Sequence, residues 1–336
     1  MEIAIGNKII GEGHPTFFIA EIGSNHDCKI DQAKELIDNC AEIGVDAVKF
    51  QSFSAETLVV REHPAYTALD RLALPRQWHR ELADYCKVKD ILFLSTPFDE
   101  EKVDWLEEVS VPAYKIASGD LTYYKLLEKV ASTGKPVFLS TGIATLEEAT
   151  AAFSTLKKAG SKHIALLHCI ANYPPRTQDI NLEIIKTLGI NFPEAVIGFS
   201  DHSPGYMAPL GAVALGAKII EKHVTLSRKL QGPDHPFALE VNEFAEMIIK
   251  IRELETMLGS GEKRPVENEL QEISGARRGI YLNAAAAKGT LIKESMLGFL
   301  RPATGIRASE YKNVIGKKLK VGSSRGDKLS WEMLDI

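Results

Sequence analysis

Short apolar runs alternate with longer amphipathic segments along the first 258 residues, and this rhythm restricts the fold more than any other feature. The runs are Phe17–Ala20, Ala47–Phe50, Ile91–Leu94, Ala113–Ala117, Val137–Leu139, Ile164–Leu167, Val196–Phe199 and Lys218–Ile220. Helical patterns lie between them at Asp31–Ile43, Arg76–Lys87, Tyr124–Thr133, Thr145–Ala159 and Asn181–Leu188. Short, continuously apolar runs read as strands buried on both faces. About eight strand–helix units in roughly 250 residues predict an α/β fold, a closed parallel TIM barrel. The competitor is an open doubly wound sheet. It normally carries a glycine-rich phosphate turn after its first strand, and Glu21-Ile22-Gly23-Ser24-Asn25-His26 lacks that pattern.

The ends of the chain follow different rules. Ile3-Ala4-Ile5 and Lys8-Ile9-Ile10 flank Gly6-Asn7, a hairpin signal. The rhythm stops after Leu258. Residues 1–258 are thus expected to form the barrel with its hairpin, 259–275 a linker with a helical piece at Val266–Ile273, and 276–336 a small domain. That domain holds a weak internal repeat: Lys288–Leu297 resembles Arg325–Leu334. About 60 residues without disulfides are marginal alone, so docking on a barrel or a partner chain is expected.

Composition removes several functions. Hydrophobic residues make up 45% of the 336, enough for a sizeable core. A net charge of −5 argues against a general nucleic-acid or anionic-membrane binder. Cations for an anionic substrate would have to be gathered in a pocket. Cys28, Cys40, Cys86 and Cys169 form no C-x-x-C pair, which points to a reduced cytoplasmic setting. No signal peptide is visible. Met207–Ile220 is too short to cross a bilayer and reads as a buried helix leading into a strand.

Polar residues collect where the apolar runs end: Glu21, Lys49 and Gln51, Thr96 and Asp99, Lys115, Ser118 and Asp120, Ser140 and Thr141, His168 and Tyr173, Asp201 and His202, Glu221 and His223. In a barrel this is the face where chemistry occurs. His202 and His223 end neighbouring strands. Two imidazoles without a cysteine leave positions for water and substrate oxygens, which suits a catalytic Mn²⁺, Zn²⁺ or Mg²⁺. Histidines hydrogen-bonded in a crowded loop are the competing account. Lys49 and Lys115 interrupt apolar strands, and a buried lysine requires an anion. Phosphate or carboxylate recognition would supply it, with Ser118 and Ser140 as further donors. A salt bridge to Glu21 or Glu221, or a Schiff-base role, would also account for these lysines. Glu21, Asp120 and Asp234 are acid–base candidates. Gly232-Pro233-Asp234-His235 is a turn able to overhang the site, unless it is an ordinary surface turn.

Taken together, the ordered strings Ala20–His26, Asp46–Gln51, Ser95–Asp99, Lys115–Asp120, Leu139–Gly142, Leu166–Cys169, Ser200–His202, Glu221–His223 and Gly232–His235 resemble the sialic acid synthase family. That family includes N-acetylneuraminate, legionaminate, pseudaminate and spore-coat polysaccharide synthases. The resemblance implies a small C-terminal domain like type III antifreeze proteins. It implies condensation of phosphoenolpyruvate with an N-acylated hexosamine to give a nine-carbon 2-keto acid and phosphate. It places a divalent metal, typically Mn²⁺, on His202 and His223. Phosphoenolpyruvate falls to Lys49, Lys115, Ser118 and Ser140, and proton handling to Glu21 and Asp234. Gln51, Asp120 and Tyr173 line the substrate site. Arg301 would reach the N-acyl group across a domain-swapped homodimer. Two positions depart from the pattern: Ala171 stands where many members are polar, and Asp120 where some have Glu. The competing readings are a metal-dependent pyruvate aldolase or lyase and a non-catalytic sugar-binding protein. No nucleic-acid or membrane partner is expected.

Overall fold

The chain opens with an antiparallel hairpin, β1 (Glu2–Ile5) and β2 (Lys8–Gly11), that turns at Gly6-Asn7. The computed structural model describes residues 1–335. After the hairpin come eight parallel strands: β3 (Phe17–Glu21), β4 (Ala47–Ser52), β5 (Leu92–Pro97), β6 (Tyr114–Ile116), β7 (Val137–Ser140), β8 (Ile164–Cys169), β9 (Val196–Asp201) and β10 (Ile219–Thr225). Ladder pairing runs β5-β4-β3-β10-β9-β8-β7-β6. The first barrel strand therefore pairs with the last, which is what closes a barrel. Among the described residues, only the seam between the neighbouring β5 and β6 lacks a ladder. A two-residue strand, β11 (Leu239–Glu240), pairs in parallel with the C-terminal end of β10.

The helices are α1 (Ile30–Glu42), α2 (Ala55–Leu58), α3 (Tyr66–Leu72), α4 (Arg76–Val88), α5 (Glu100–Glu108), α6 (Tyr124–Ser132), α7 (Leu146–Lys158), α8 (Ile184–Asn191), α9 (Met207–Ala214) and α10 (Val241–Leu258). The sequence rhythm signals neither α2 nor α3, which form a long excursion between β4 and α4. Helix α8 begins three residues later than the pattern at Asn181 predicts. Asn181 has φ +44°, a left-handed conformation that cannot open a right-handed helix. Thr145 caps α7 rather than entering it: its hydroxyl accepts from Glu148 N at 3.2 Å, and Glu148 accepts from Thr145 N at 2.8 Å.

Side chains alternate across each strand, so one parity faces the helices and the other the barrel axis. The helix-facing set includes Phe18, Val48, Phe93, Leu139, Leu166, Phe199 and Ile220, packed in one continuous core. The axial set changes character along the strand. At the N-terminal end it is apolar: Phe17 and Ile19, Ala47, Leu94, Ala113, Phe138, Ala165 and Leu167, Val196 and Ile219 pack with Ile3, Ile5 and Ile10 of the hairpin. The hairpin thereby plugs the barrel floor. At the C-terminal end the same parity becomes polar.

Gly198 sits in that interior with no room for a side chain. A Cβ there would lie 2.5 Å from Leu167 Cδ2, 2.8 Å from Ile219 Cβ and 2.9 Å from Ile219 O. Gly198→Ala is therefore expected to cost about 1–3 kcal/mol through overpacking, read as a lowered urea midpoint at constant m-value.

The chain divides into two compact units, Met1–Gly259 and a second that begins at Ser260. The second unit carries α11 (Glu267–Ala276) and an antiparallel pair, β12 (Gly279–Leu282) and β13 (Leu297–Leu300). Its core includes Ile280, Ile292, Leu297, Leu319, Leu329 and Leu334. The internal repeat has a structural counterpart. Gly289 and Gly326 take φ +83° and +88°, Ile292 and Leu329 are buried, and each copy ends in a 3₁₀ turn, Glu294–Met296 and Trp331–Met333.

Candidate active site

A cavity of about 770 Å³ opens over the C-terminal ends of the barrel strands. Glu21, Lys49, Gln51, Lys115, Ser118, Asp120, Ser140, Tyr173, His202, His223 and Asp234 all line it. Arg301 belongs to the second unit, directly after β13, and is exposed. Strand register explains the convergence. His223 of β10 lies opposite Glu21 of β3, and Glu21 lies opposite Lys49 of β4. A base candidate, a metal-ligand candidate and a cation therefore share one row. Glu221, two residues before His223 and of the same parity, lies opposite Ser200 of β9.

The two lysines face carboxylates. Lys49 Nζ stands 2.6 Å from Glu21 Oε2 and donates to Thr96 Oγ1 at 3.1 Å; Lys115 Nζ is 3.4 Å from Glu221 Oε1. The salt-bridge account of these lysines is thus met, and their amines still line the cavity. Ser200 Oγ donates to Glu221 Oε1 at 2.8 Å, and Gln51 Nε2 to Glu21 Oε1 at 2.7 Å. Burial pushes both carboxyls up. At Glu221 the positive charges of Lys115 and Lys49 reverse the effect and hold it well below the usual range. At Glu21 burial wins over Lys49, Glu221 adds repulsion, and the carboxyl rises to about 7. Burial lowers Lys115, whereas at Lys49 the two glutamates outweigh burial and raise it. One carboxyl near neutrality beside one that stays ionised is the separation an acid–base pair requires.

His202 Nδ1 donates to Ile170 O at 2.9 Å, which leaves its Nε2 lone pair free. Burial lowers the pKa of His202 and takes His223 down to about 3. Both rings are therefore neutral, the form that ligates metals. Their centroids lie 5.4 Å apart. His223 Nδ1 is buried without a hydrogen-bond partner, 3.7 Å from Asp234 Oδ2. An orphaned buried nitrogen and a second free imidazole fit one divalent ion. Among the described residues no cluster of three His, Cys, Asp or Glu side chains completes a protein-only site.

Three loops finish the cavity. Ser118 Oγ accepts from Gly142 N at 3.0 Å, whereas buried Ser140 Oγ has no partner. Asp120 Oδ2 is also buried and unpartnered, and burial raises that carboxyl to about 6. Asp234 Oδ2 accepts from Ser24 N at 3.0 Å and Ser24 Oγ at 2.9 Å. Gly23 permits this approach: at φ +51°, a Cβ there would meet Asp234 Oδ2 at 2.8 Å. His235, from the same turn, is fully buried and bonds Thr225 Oγ1 and Asp27 Oδ1. The turn is therefore pinned to the β3–α1 connection rather than being an ordinary surface turn.

The polar strand ends do not all converge. His168 contacts Ile180 O at 2.7 Å, and Asp201 pairs with Lys222 at 2.5 Å, both buried on the helix-facing parity. Conversely, Thr96 and Glu221, noted only as polar strand ends or salt-bridge partners with no role in the chemistry, and Ser200, Cys169 and Ser24, which drew no separate notice, all line the cavity. Parity alone would have retrieved Glu221 and Thr96.

A model of the NeuB family matches residues 36–263. The chain belongs to this sialic acid synthase family. An uncharacterized protein of Methanocaldococcus jannaschii is 43% identical over 99% of this chain and 98% of its own length. The N,N'-diacetyllegionaminic acid synthase of Legionella pneumophila is 38% identical over 98% of each chain. The crystal structure of an N-acetylneuraminic acid synthetase from Leptospira borgpetersenii superposes with a TM-score of 0.78 at 38% identity, covering 81% of this NeuB-family chain and 95% of that one.

Buried histidines outside the cavity give this family member a pH-dependent stability. Burial lowers His26 to about 4 from an ordinary 6.5, and also lowers His79 and His168. A depressed folded value stabilises fully above about 6.5 and less as pH falls toward the folded value. Glu21, raised from 4.5 to about 7, and Asp120, raised from 3.8 to about 6, act oppositely between those values. The histidines outnumber them, so the urea midpoint is expected to fall between pH 6.5 and pH 5. His26→Gln should remove about 1.4 kcal/mol per pH unit from that slope.

Proposed function

We propose that the protein condenses phosphoenolpyruvate with the open-chain aldehyde of an N-acylated hexosamine, such as N-acetylmannosamine, and water, yielding a nine-carbon 2-keto acid sugar and phosphate. One observation carries this reading: a single polar layer unites two buried lysines, two neutral imidazoles and a carboxyl raised to about 7. Lys49 and Lys115 attract the phosphate and carboxylate, with Ser118 Oγ and the unpartnered Ser140 Oγ as donors. His202 and His223 hold the divalent ion, Mn²⁺ by family resemblance. When bound, that ion supplies Lewis-acid polarisation of an oxygen. Glu21 holds or releases a proton near neutral pH. Asp234, fixed by Ser24, accepts a hydrogen bond from a sugar hydroxyl, and Tyr173 packs beside His202 with ring centroids 4.2 Å apart.

The test is phosphate release. It should require phosphoenolpyruvate, an N-acyl hexosamine and a divalent ion together, with the product's mass equal to phosphoenolpyruvate plus hexosamine plus one water, less phosphoric acid. Turnover of pyruvate without phosphate release would sink the reading in favour of an aldolase.

The second unit is proposed to be the antifreeze-like domain, placed over the barrel of a second copy in a swapped homodimer. In support, apolar side chains stand in the open after the strand ends: Ile143, which lines the cavity, is 77% exposed, and Met207, at the start of α9, is 83% exposed. Arg301→Ala should raise the acceptor KM about tenfold, as expected for a lost charge-assisted hydrogen bond, and leave the phosphoenolpyruvate KM unchanged. Light scattering should report a dimer. Of the described helices, none is long and apolar enough to cross a membrane.

A further inference from the structure

The connection Leu226–Ala238 joins β10 to β11, and most of it is exposed or half-buried. Its one buried polar side chain is His235. The chemistry proposed above gives this imidazole no task, yet its ring ties three segments together. Nε2 donates to Asp27 Oδ1 at 3.0 Å on the β3–α1 connection. Nδ1 meets Thr225 Oγ1 at 2.7 Å, two residues past His223 on β10. Asp27 is itself held, because Gln32 Nε2 donates to its Oδ2 at 2.7 Å. Gly232 leaves room for the ring: a Cβ there would lie 2.8 Å from His235 Cδ2 and 3.3 Å from Asp27 Oδ1. The loop and the strand have a bond of their own, from Asn25 Nδ2 to Val224 O at 2.8 Å. What the ring adds is a hold on the turn.

The turn places cavity-lining groups on both sides of that anchor. Asp234 precedes it, and Phe237, two residues on, packs against His223 with ring centroids 4.9 Å apart. Ser24 N and Oγ both donate to Asp234 Oδ2. Among the described residues no donor reaches Oδ1, which stays open to a ligand hydroxyl. A carboxylate on a loosely held connection samples many orientations, and a displacement of about 1 Å can cost about 100-fold in rate. We propose that His235 is a positioning residue for the acceptor. By anchoring the turn to Asp27 and Thr225, it keeps the Asp234 carboxylate aimed at the sugar hydroxyls.

This inference rests on the synthase reading above, and steady-state phosphate release with each substrate varied in turn separates the two. An asparagine amide reaches only the position of Nδ1, and a glutamine amide only that of Nε2. His235→Asn therefore drops the tie to Asp27. It should raise the acceptor KM about tenfold while the phosphoenolpyruvate KM holds. His235→Gln keeps that tie and should stay within about threefold of the wild-type acceptor KM. Asp27 has φ +49°, which glycine adopts without strain, so Asp27→Gly should repeat the His235→Asn result. With Asp234→Ala in place, His235→Asn should add less than about twofold, because no carboxylate remains to be aimed. A merely structural role lowers kcat with the folded fraction and moves neither KM. An unchanged acceptor KM in both His235→Asn and Asp27→Gly would overturn the positioning role alone, as would a further loss of about tenfold on top of Asp234→Ala. No phosphate release by the wild-type protein with any N-acyl hexosamine overturns the synthase reading and this inference with it. Asp27→Gly decides even where a His235 variant proves too unstable to assay.

Discussion

Lys115→Met lowers kcat/KM for phosphoenolpyruvate by about three orders of magnitude. The side chain is buried and its amine lies 3.4 Å from Glu221 Oε1. Removing it takes a cation from the anion seat and leaves Glu221 with Lys49 at 3.9 Å as its remaining cation. Removing the partner of a desolvated charge from a binding site costs about 2–5 kcal/mol, and each 1.4 kcal/mol is tenfold. Steady-state phosphate release measures the loss. Lys115→Met/Glu221→Gln tells binding from charge balance. It should regain folding stability, because no buried charge is then stranded, but not activity. Recovery of activity in the double variant would show that Lys115 serves only to neutralise Glu221.

His202→Ala and His223→Ala should each weaken Mn²⁺ binding by more than about 100-fold, beyond the 10–100-fold typical of losing a group that only supports a ligand. Calorimetric titration of the metal-free protein reads this without reference to turnover. The two sites differ in what they leave behind. His202→Ala frees Ile170 O, whereas His223→Ala removes a nitrogen with no hydrogen-bond partner, so it should cost less stability. Unchanged Mn²⁺ affinity in both variants would remove the metal from this reading.

How much of this could be read from the chain depends on the range of the interaction. All eight barrel strands announce themselves because each is buried on both faces, and continuous apolar runs are a local signal. The site is partly legible for the same reason. A lysine in such a run, at Lys49 or Lys115, violates the local pattern and attracts notice. Glu221 was harder to see because it stands between Ile220 and Lys222, and only strand parity shows that it faces the axis while Lys222 faces the helices. Asp234 owes its position to Ser24, 210 residues away, which no local pattern encodes. Helices α2 and α3 are four and seven residues long, too short to establish a period, so neither is legible in the sequence.

The hairpin at the barrel floor has a kinetic consequence. Ile3, Ile5 and Ile10 are buried against the lowest axial layer, so the vessel is blind at one end and everything passes through a single mouth. Lys49 and Lys115 sit one axial step above Ala47 and Ala113 of that layer, while Asp234 and Tyr173 come from loops at the rim. Were the lysines to seat the anion and the rim loops the sugar, as proposed, filling would run upward, anion before sugar, and emptying downward from the rim, with whatever the lysines hold leaving last.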